Sequence, residues 1–145
     1  MENNDEKYMR MAIDEAKKAL ARDEVPIGSV VVFNNMVIAR AHNLTETLKD
    51  PTAHAEMQAI TAAANWIGGK YLKDCTIYVT IEPCPMCAAA LNWAQVSRVV
   101  YGASDEKRGY SRISSYLLHP KTSVVSGVLG YECGTMVTDF FKSKR

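Results

Sequence analysis

The chain has no apolar run approaching the ~20 residues needed for a bilayer-spanning helix, although 48% of its 145 residues are hydrophobic. A membrane partner is therefore not expected. It also lacks a charge excess, since 17 basic residues stand against 16 acidic ones, for a net charge of +1. The strongly basic footprint of many nucleic-acid-binding domains is missing, although a local patch can do the same work. Lys142, Lys144 and Arg145 form one such patch, and a solvated helix end is an equally good reading of it. The first seven residues are polar and acidic and carry no apolar signal region, so the expected address is the cytoplasm. There, the four cysteines are expected to be thiols or metal ligands and not disulfides. With no repeat, low-complexity tract or linker, residues 1–145 are expected to form one domain of ordinary size.

What is present is a regular alternation of helix and strand signals. Met9, Ala12, Ile13, Ala16 and Leu20 recur at helical spacing and predict an amphipathic helix over 6–22. Pro26 and Gly28 end it. Two runs rich in β-formers, 29–33 and 36–41, flank Asn34-Asn35, which reads as a tight hairpin. An alanine-rich helix is predicted over 53–67, closed by Gly68-Gly69. A buried strand follows over 75–81, then a helix over 84–95 and a strand over 98–102. Residues 103–122 read as loop with a short helix at 113–118, before a last strand at 123–127 and a closing helix over 131–143. This order predicts an α/β fold, one mixed sheet with helices on both faces.

Two local patterns carry chemistry. His54-Ala55-Glu56 opens the second helix, and Pro83-Cys84-Pro85-Met86-Cys87 lies between a strand and the third helix. Cysteines three apart in a first helical turn share a face, so both sulfurs can reach one ion. A helix N-terminus carries partial positive charge and favours the thiolate that binds zinc. Pro85 costs no hydrogen bond there, because first-turn N–H groups are free anyway. His54, Cys84 and Cys87 make three ligands, the count of a catalytic zinc, which keeps one position open; structural zinc usually has four. Glu56 is not expected to join them, since residues i and i+2 of a helix diverge by ~200°. Its place near the open position suits a general acid/base.

Each has a plainer reading. A lone CxxC can be a redox pair, and a lone HxE means nothing; the joint pattern at two helix starts is what points to zinc. Cys75 and Cys133 have no paired spacing and read as small buried hydrophobes. His42 and His119 read as loop or surface residues.

At this point the chain resembles the cytidine-deaminase-like superfamily and, within it, the bacterial tRNA adenosine deaminases. The matching stretches are residues 23–28, 50–56, 72–87, 98–103 with Asp105, and Glu132-Cys133 followed by Asp139-Phe140-Phe141 and the basic tail. The resemblance implies a three-layer cytidine deaminase-like fold with a five-stranded mixed sheet and one zinc ion per subunit. It implies hydrolytic deamination of adenosine to inosine at the tRNA wobble position, with Glu56 as proton shuttle. Asn43 matches a base-contacting asparagine, and Asp105 a position near the substrate ribose. It further implies a homodimer that reads the anticodon loop of tRNA, with the target base splayed out of its stack. One stretch departs from the family: a Gly-Ala-rich segment is replaced by residues 106–114, EKRGYSRIS. Lys107, Arg108 and Arg112 could contact phosphates there and Tyr110 offer a stacking face, or the loop could simply be solvated. PCPMC and Asn92-Trp93-Ala94 look somewhat like guanine deaminases, so a deaminase of free guanine or cytosine is the alternative. A zinc-stabilised RNA-binding module without catalysis is the rival from another class.

Overall fold

The computed structural model describes residues 4–145. In chain order the elements are α1 (Asn4–Ala21), β1 (Gly28–Phe33), β2 (Met36–His42), α2 (Ala55–Ile67), β3 (Cys75–Ile81) and α3 (Pro85–Ala94). Then come β4 (Arg98–Ala103), β5 (Ser123–Val125) and α4 (Gly130–Ser143). The strands form one sheet in the order β2-β1-β3-β4-β5. β1 pairs antiparallel with β2 and β3, whereas β3–β4 and β4–β5 are parallel. This is the five-stranded mixed sheet that the resemblance implied.

Alternation along the central strands explains the three layers. Ile77, Val79 and Val99 point into one core, shared with Ala59 and Ala63 of α2 and Ala88 and Leu91 of α3. Tyr78 and Val100 point into the other, with Met9, Ala12 and Ile13 of α1 and Met136 and Val137 of α4. A fully buried aliphatic side chain contributes about 1.5–3 kcal/mol. β1, β3 and β4 are thus buried on both faces, and the site hangs from the carboxyl ends of β3 and β4. No helix among the described residues is long and apolar enough to cross a membrane.

The hairpin is as expected. Asn34 and Asn35 both take positive φ, 51° and 59°, which makes the two-residue loop a type I′ turn matched to strand twist. Gly28 is required for a different reason: a Cβ there lies 2.0 Å from the Ala12 carbonyl oxygen, so only glycine lets α1 lie this close to β1.

Four expectations need correction. Leu20 is 44% exposed and Ala19 takes its place in the core, because the buried stripe of α1 turns away before the helix ends. Residues 113–118 form no single helix; two 3-10 turns, Tyr110–Arg112 and Ser115–Leu117, occupy the region. The last strand stops at Val125, two residues early. His42 is neither loop nor surface: it ends β2, half-buried, with Nδ1 3.4 Å from the Glu15 carboxylate. Cys75 and Cys133 are fully buried thiols, as expected.

Away from the site, Arg98 donates both ends of its guanidinium to Asp5 at 2.7 Å, and the Tyr78 hydroxyl donates to the same carboxylate. The bond from Arg98 is the main reason that the Asp5 carboxyl titrates below its ordinary value. A depressed carboxyl stabilises the fold above its unfolded pKa of about 4, and that stability is lost as pH falls through the lower folded value. Urea midpoints measured between neutral pH and pH 3 are expected to fall in the wild type and to fall less steeply in Asp5→Asn.

Candidate metal centre and active site

Two helix N-termini meet beyond the carboxyl end of β3. Glu82-Pro83 leads out of β3, and Cys84 caps α3 in extended conformation, φ −71° and ψ 168°, with Pro85 as the first helical residue. Cys87 follows one turn in. His54 caps α2 with nearly the same geometry, φ −71° and ψ 155°. Neither cap uses its side chain on its own helix, so imidazole and thiol both remain available.

The sequence-expected ligands come together. His54 Nδ1 lies 3.6 Å from Cys84 Sγ and 3.4 Å from Cys87 Sγ, and the three ligand atoms fall within 4.8 Å of one another. Nitrogen and sulfur bound tetrahedrally to one zinc stand about 3.5 Å apart, from Zn–N and Zn–S bonds of about 2.0 and 2.3 Å. The donor set and its spacing therefore fit zinc. The His54 ring also hydrogen-bonds the Pro51 carbonyl, which fixes its orientation.

Electrostatics point the same way. A hydrogen bond from Cys87, against burial and aided by His54, pulls the Cys84 thiol down to about 4, so this sulfur is a ready thiolate. Cys87 is pushed up, first by its bond to Cys84 and then by burial. The hydrogen bond to Cys84 likewise raises His54 above its usual value. Glu56, only 4% exposed, is pushed up to about 7, chiefly by burial. It also interacts with the Cys87 sulfur. A carboxyl near neutrality beside a metal position can both take and return a proton.

A cavity of about 370 Å³ opens onto this cluster. Pro51, His54, Cys84, Pro85 and Met86 line it from the helix starts, and Lys107, Arg108, Gly109, Arg112 and Ile113 from the loop after β4. Asn43 and Asp105, the expected substrate contacts, are not among the lining residues. Asn43 is buried, and its side chain accepts from Thr45 N at 3.3 Å and donates to the Val25 carbonyl at 3.5 Å. Asp105 Oδ1 accepts from Lys107 N and Arg108 N, both at 3.0 Å. Tyr110 is 5% exposed and packs in the core, so it offers no stacking face. Its burial is the correction to the loop reading.

Three residues that sequence reasoning did not single out hold the site's loops. Glu24, fully buried, accepts from Glu46 N at 3.0 Å and Thr47 N at 2.6 Å. Burial alone would raise its pKa, but these bonds outweigh it and lower the carboxyl. Gln58 Nε2 donates to the His42 carbonyl at 2.8 Å and the Ala53 carbonyl at 3.1 Å, tying the start of α2 to the end of β2. Glu82 performs the same service for the loop after β4.

Residues 2–103 match the family model of the cytidine and deoxycytidylate deaminase zinc-binding region. The chain is 50% identical over 146 aligned positions to the tRNA-specific adenosine deaminase of Bacillus subtilis (strain 168). That alignment takes in 97% of this chain and 91% of the relative. The chain belongs to the tRNA-specific adenosine deaminase family. As a member it is a zinc-dependent hydrolytic deaminase. A solved structure from work on A-to-I editing by tRNA:A34 deaminases superposes with a TM-score of 0.83 at 40% identity. It covers 90% of this chain and 98% of its own. The guanine deaminase of Bacillus subtilis reaches a TM-score of 0.67 at 38% identity, over 71% of this chain and 66% of its own.

Proposed function

We propose that this chain deaminates adenosine to inosine at the wobble position of tRNA, in the anticodon loop. The observation that carries this reading is the extent of the likeness. The tRNA-specific adenosine deaminase of Bacillus subtilis matches 97% of this chain at 50% identity, whereas one guanine deaminase matches 71% of it at 38% and another 93% of it at only 22%. High identity and near-complete coverage occur together with the tRNA deaminases and separately with the guanine deaminases.

In this reading His54, Cys84 and Cys87 hold the zinc. When bound, zinc supplies Lewis-acid activation of water near neutral pH. Glu56 takes a proton from the attacking water and passes it to N1 of the adenine as the oxygen adds at C6. The same carboxyl then takes the remaining proton from the new C6 hydroxyl and delivers it to the amine as the C–N bond breaks, so adenosine and water become inosine and ammonia. Asn43 is assigned to the purine edge and Asp105 to the ribose, each by way of a small movement that frees its side chain from the bonds described above.

The experiment is an assay of the purified protein on an anticodon stem-loop with adenosine at the wobble position, beside free guanine and cytosine. Inosine in the stem-loop alone is the expected result. Turnover of free guanine with none of the RNA establishes the alternative. The proposal includes a homodimer: Trp93 on α3 is 84% exposed and Tyr116 87% exposed, flanking the hydrogen bond from Asn92 to the Leu117 carbonyl. Light scattering at micromolar concentration is expected to give twice the 16.1 kDa chain mass. With tRNA as substrate, the proposed address is the cytoplasm.

A further inference from the structure

Residues 44–53 link Asn43, just after β2, to His54 at the start of α2. The ends of this loop are tied together. Leu44 N donates to the Ala53 carbonyl at 3.0 Å. Gln58 braces the same ends from α2, its Nε2 donating to the His42 carbonyl at 2.8 Å and to the Ala53 carbonyl at 3.1 Å. Inside the loop, Leu48 N donates to the Leu44 carbonyl at 2.9 Å and Asp50 N to the Thr45 carbonyl at 3.0 Å. A carboxylate fills its centre. Glu24, with none of its surface exposed, accepts from Glu46 N at 3.0 Å, from Thr47 N at 2.6 Å and from the Thr45 hydroxyl at 3.5 Å. A buried carboxylate without such donors carries a heavy desolvation cost, so the loop and Glu24 hold each other in place.

These bonds are unequal in a way that suits Asn43. Its backbone is held, since Asn43 N donates to the Ile27 carbonyl at 3.1 Å. Its amide is held by longer bonds, 3.3 Å from Thr45 N and 3.5 Å to the Val25 carbonyl. Hydrogen bonds weaken with length, so the amide can turn to a base while the backbone beneath it stays put. At the far end of the loop, the Pro51 carbonyl bonds the His54 ring. One loop therefore sets both the point from which Asn43 reaches and the orientation of a metal ligand. Misplacing reacting groups by about 1 Å can cost about 10²-fold in rate.

Given the assignment of Asn43 to the purine edge, on which this rests, we propose that loop 44–53 is a gauge that sets how far Asn43 stands from the metal ligand His54, with Glu24 and Gln58 as its positioning residues. Neither touches substrate. Glu24 holds the loop from inside and Gln58 from outside, and both act through Asn43. Affinity for a nucleic acid comes mainly from its phosphate backbone, which lies outside the base pocket. A slackened gauge therefore misplaces a base that is already bound, and the loss falls on kcat and not on KM.

The test is a double-mutant cycle on the anticodon stem-loop. Glu24→Gln keeps the shape but sets an amide N–H against a backbone donor at 46 or 47. It is expected to lower kcat about tenfold, with KM within about twofold and zinc content unchanged. Gln58→Leu removes the outer brace and leaves the Leu44–Ala53 bond; a fall in kcat of about three- to fivefold is expected, and this variant carries the test should Glu24→Gln not fold. The deciding measurement repeats both substitutions in Asn43→Ala, where each is expected to cost less than about twofold, because the side chain that they position is gone. Equal losses in the two backgrounds, or wild-type kcat in both single variants, overturn the gauge and leave the tRNA reading intact. Wild-type kcat in Asn43→Ala takes that residue off the base and overturns the gauge with it. A wild type that turns over free guanine and not the stem-loop overturns the tRNA reading alone, and the same cycle run on guanine then decides the gauge.

Discussion

Glu56→Gln is expected to keep its zinc and its fold and to lose about 10²- to 10⁴-fold in kcat, the usual share of general acid–base catalysis. The substitution is nearly isosteric, and the side chain is 4% exposed, so shape is what the surroundings can feel. Burial pushes the carboxyl up to about 7, which favours a proton on it far more than on an exposed glutamate. It can then accept a proton from water and release it to a nitrogen within one turnover. An amide can do neither. Because glutamine carries no charge, the change leaves no unpaired charge in the interior, and the thermal midpoint is expected to move by only a few degrees. Zinc stoichiometry and stem-loop turnover are the measurements. Full activity with full zinc removes Glu56 from the proton path. Stem-loop binding by a wild type that deaminates nothing favours the non-catalytic RNA-binding module.

The second large effect is expected at Cys87. It is fully buried, one turn into α3, and its sulfur lies 3.4 Å from His54 Nδ1. Cys87→Ala leaves two ligands where catalytic zinc needs three. Zinc per chain is expected to drop from about one to near zero, and deamination with it. Stability should fall as well. A ligand present at about a thousand times its Kd stabilises the native state by about 4 kcal/mol, and the variant forfeits that contribution. A chelator added to the wild type is expected to reproduce the fall in Tm. Cys75→Ala and Cys133→Ala are the controls, since both thiols sit in the core and neither belongs to the cluster. A Cys87→Ala protein that purifies with a full zinc complement sinks the ligand assignment.

The elements and the metal cluster were legible in the sequence because both are local. A run of β-formers announced β3, the Asn34-Asn35 pair announced the hairpin, and cysteines one turn apart announced a shared face. The loops around the site were not legible. Glu82 finds its partners 23 and 29 residues away, and two of the three are backbone N–H groups, which leave no mark on residue type. Glu24 is the same case, bonded to N–H groups 22 and 23 residues on. Tyr110 was misjudged because its neighbours are polar; a window of lysine, arginine and serine reads as solvent even when one ring in it turns inward. Leu20 erred oppositely, an apolar residue at helical spacing on a stripe that had already rotated past the sheet.

The way Glu82 holds the loop after β4 has a bearing on how this enzyme can change. Its grip falls on two backbone N–H groups and one hydroxyl, and asks for a glycine at 109 and little else. The side chains at 106–108 are therefore free to vary in size and charge without loosening the frame that carries Cys84. The socket accepts interchangeable inserts. A loop grafted from a relative should seat itself wherever Gly109 and Ser111 are kept.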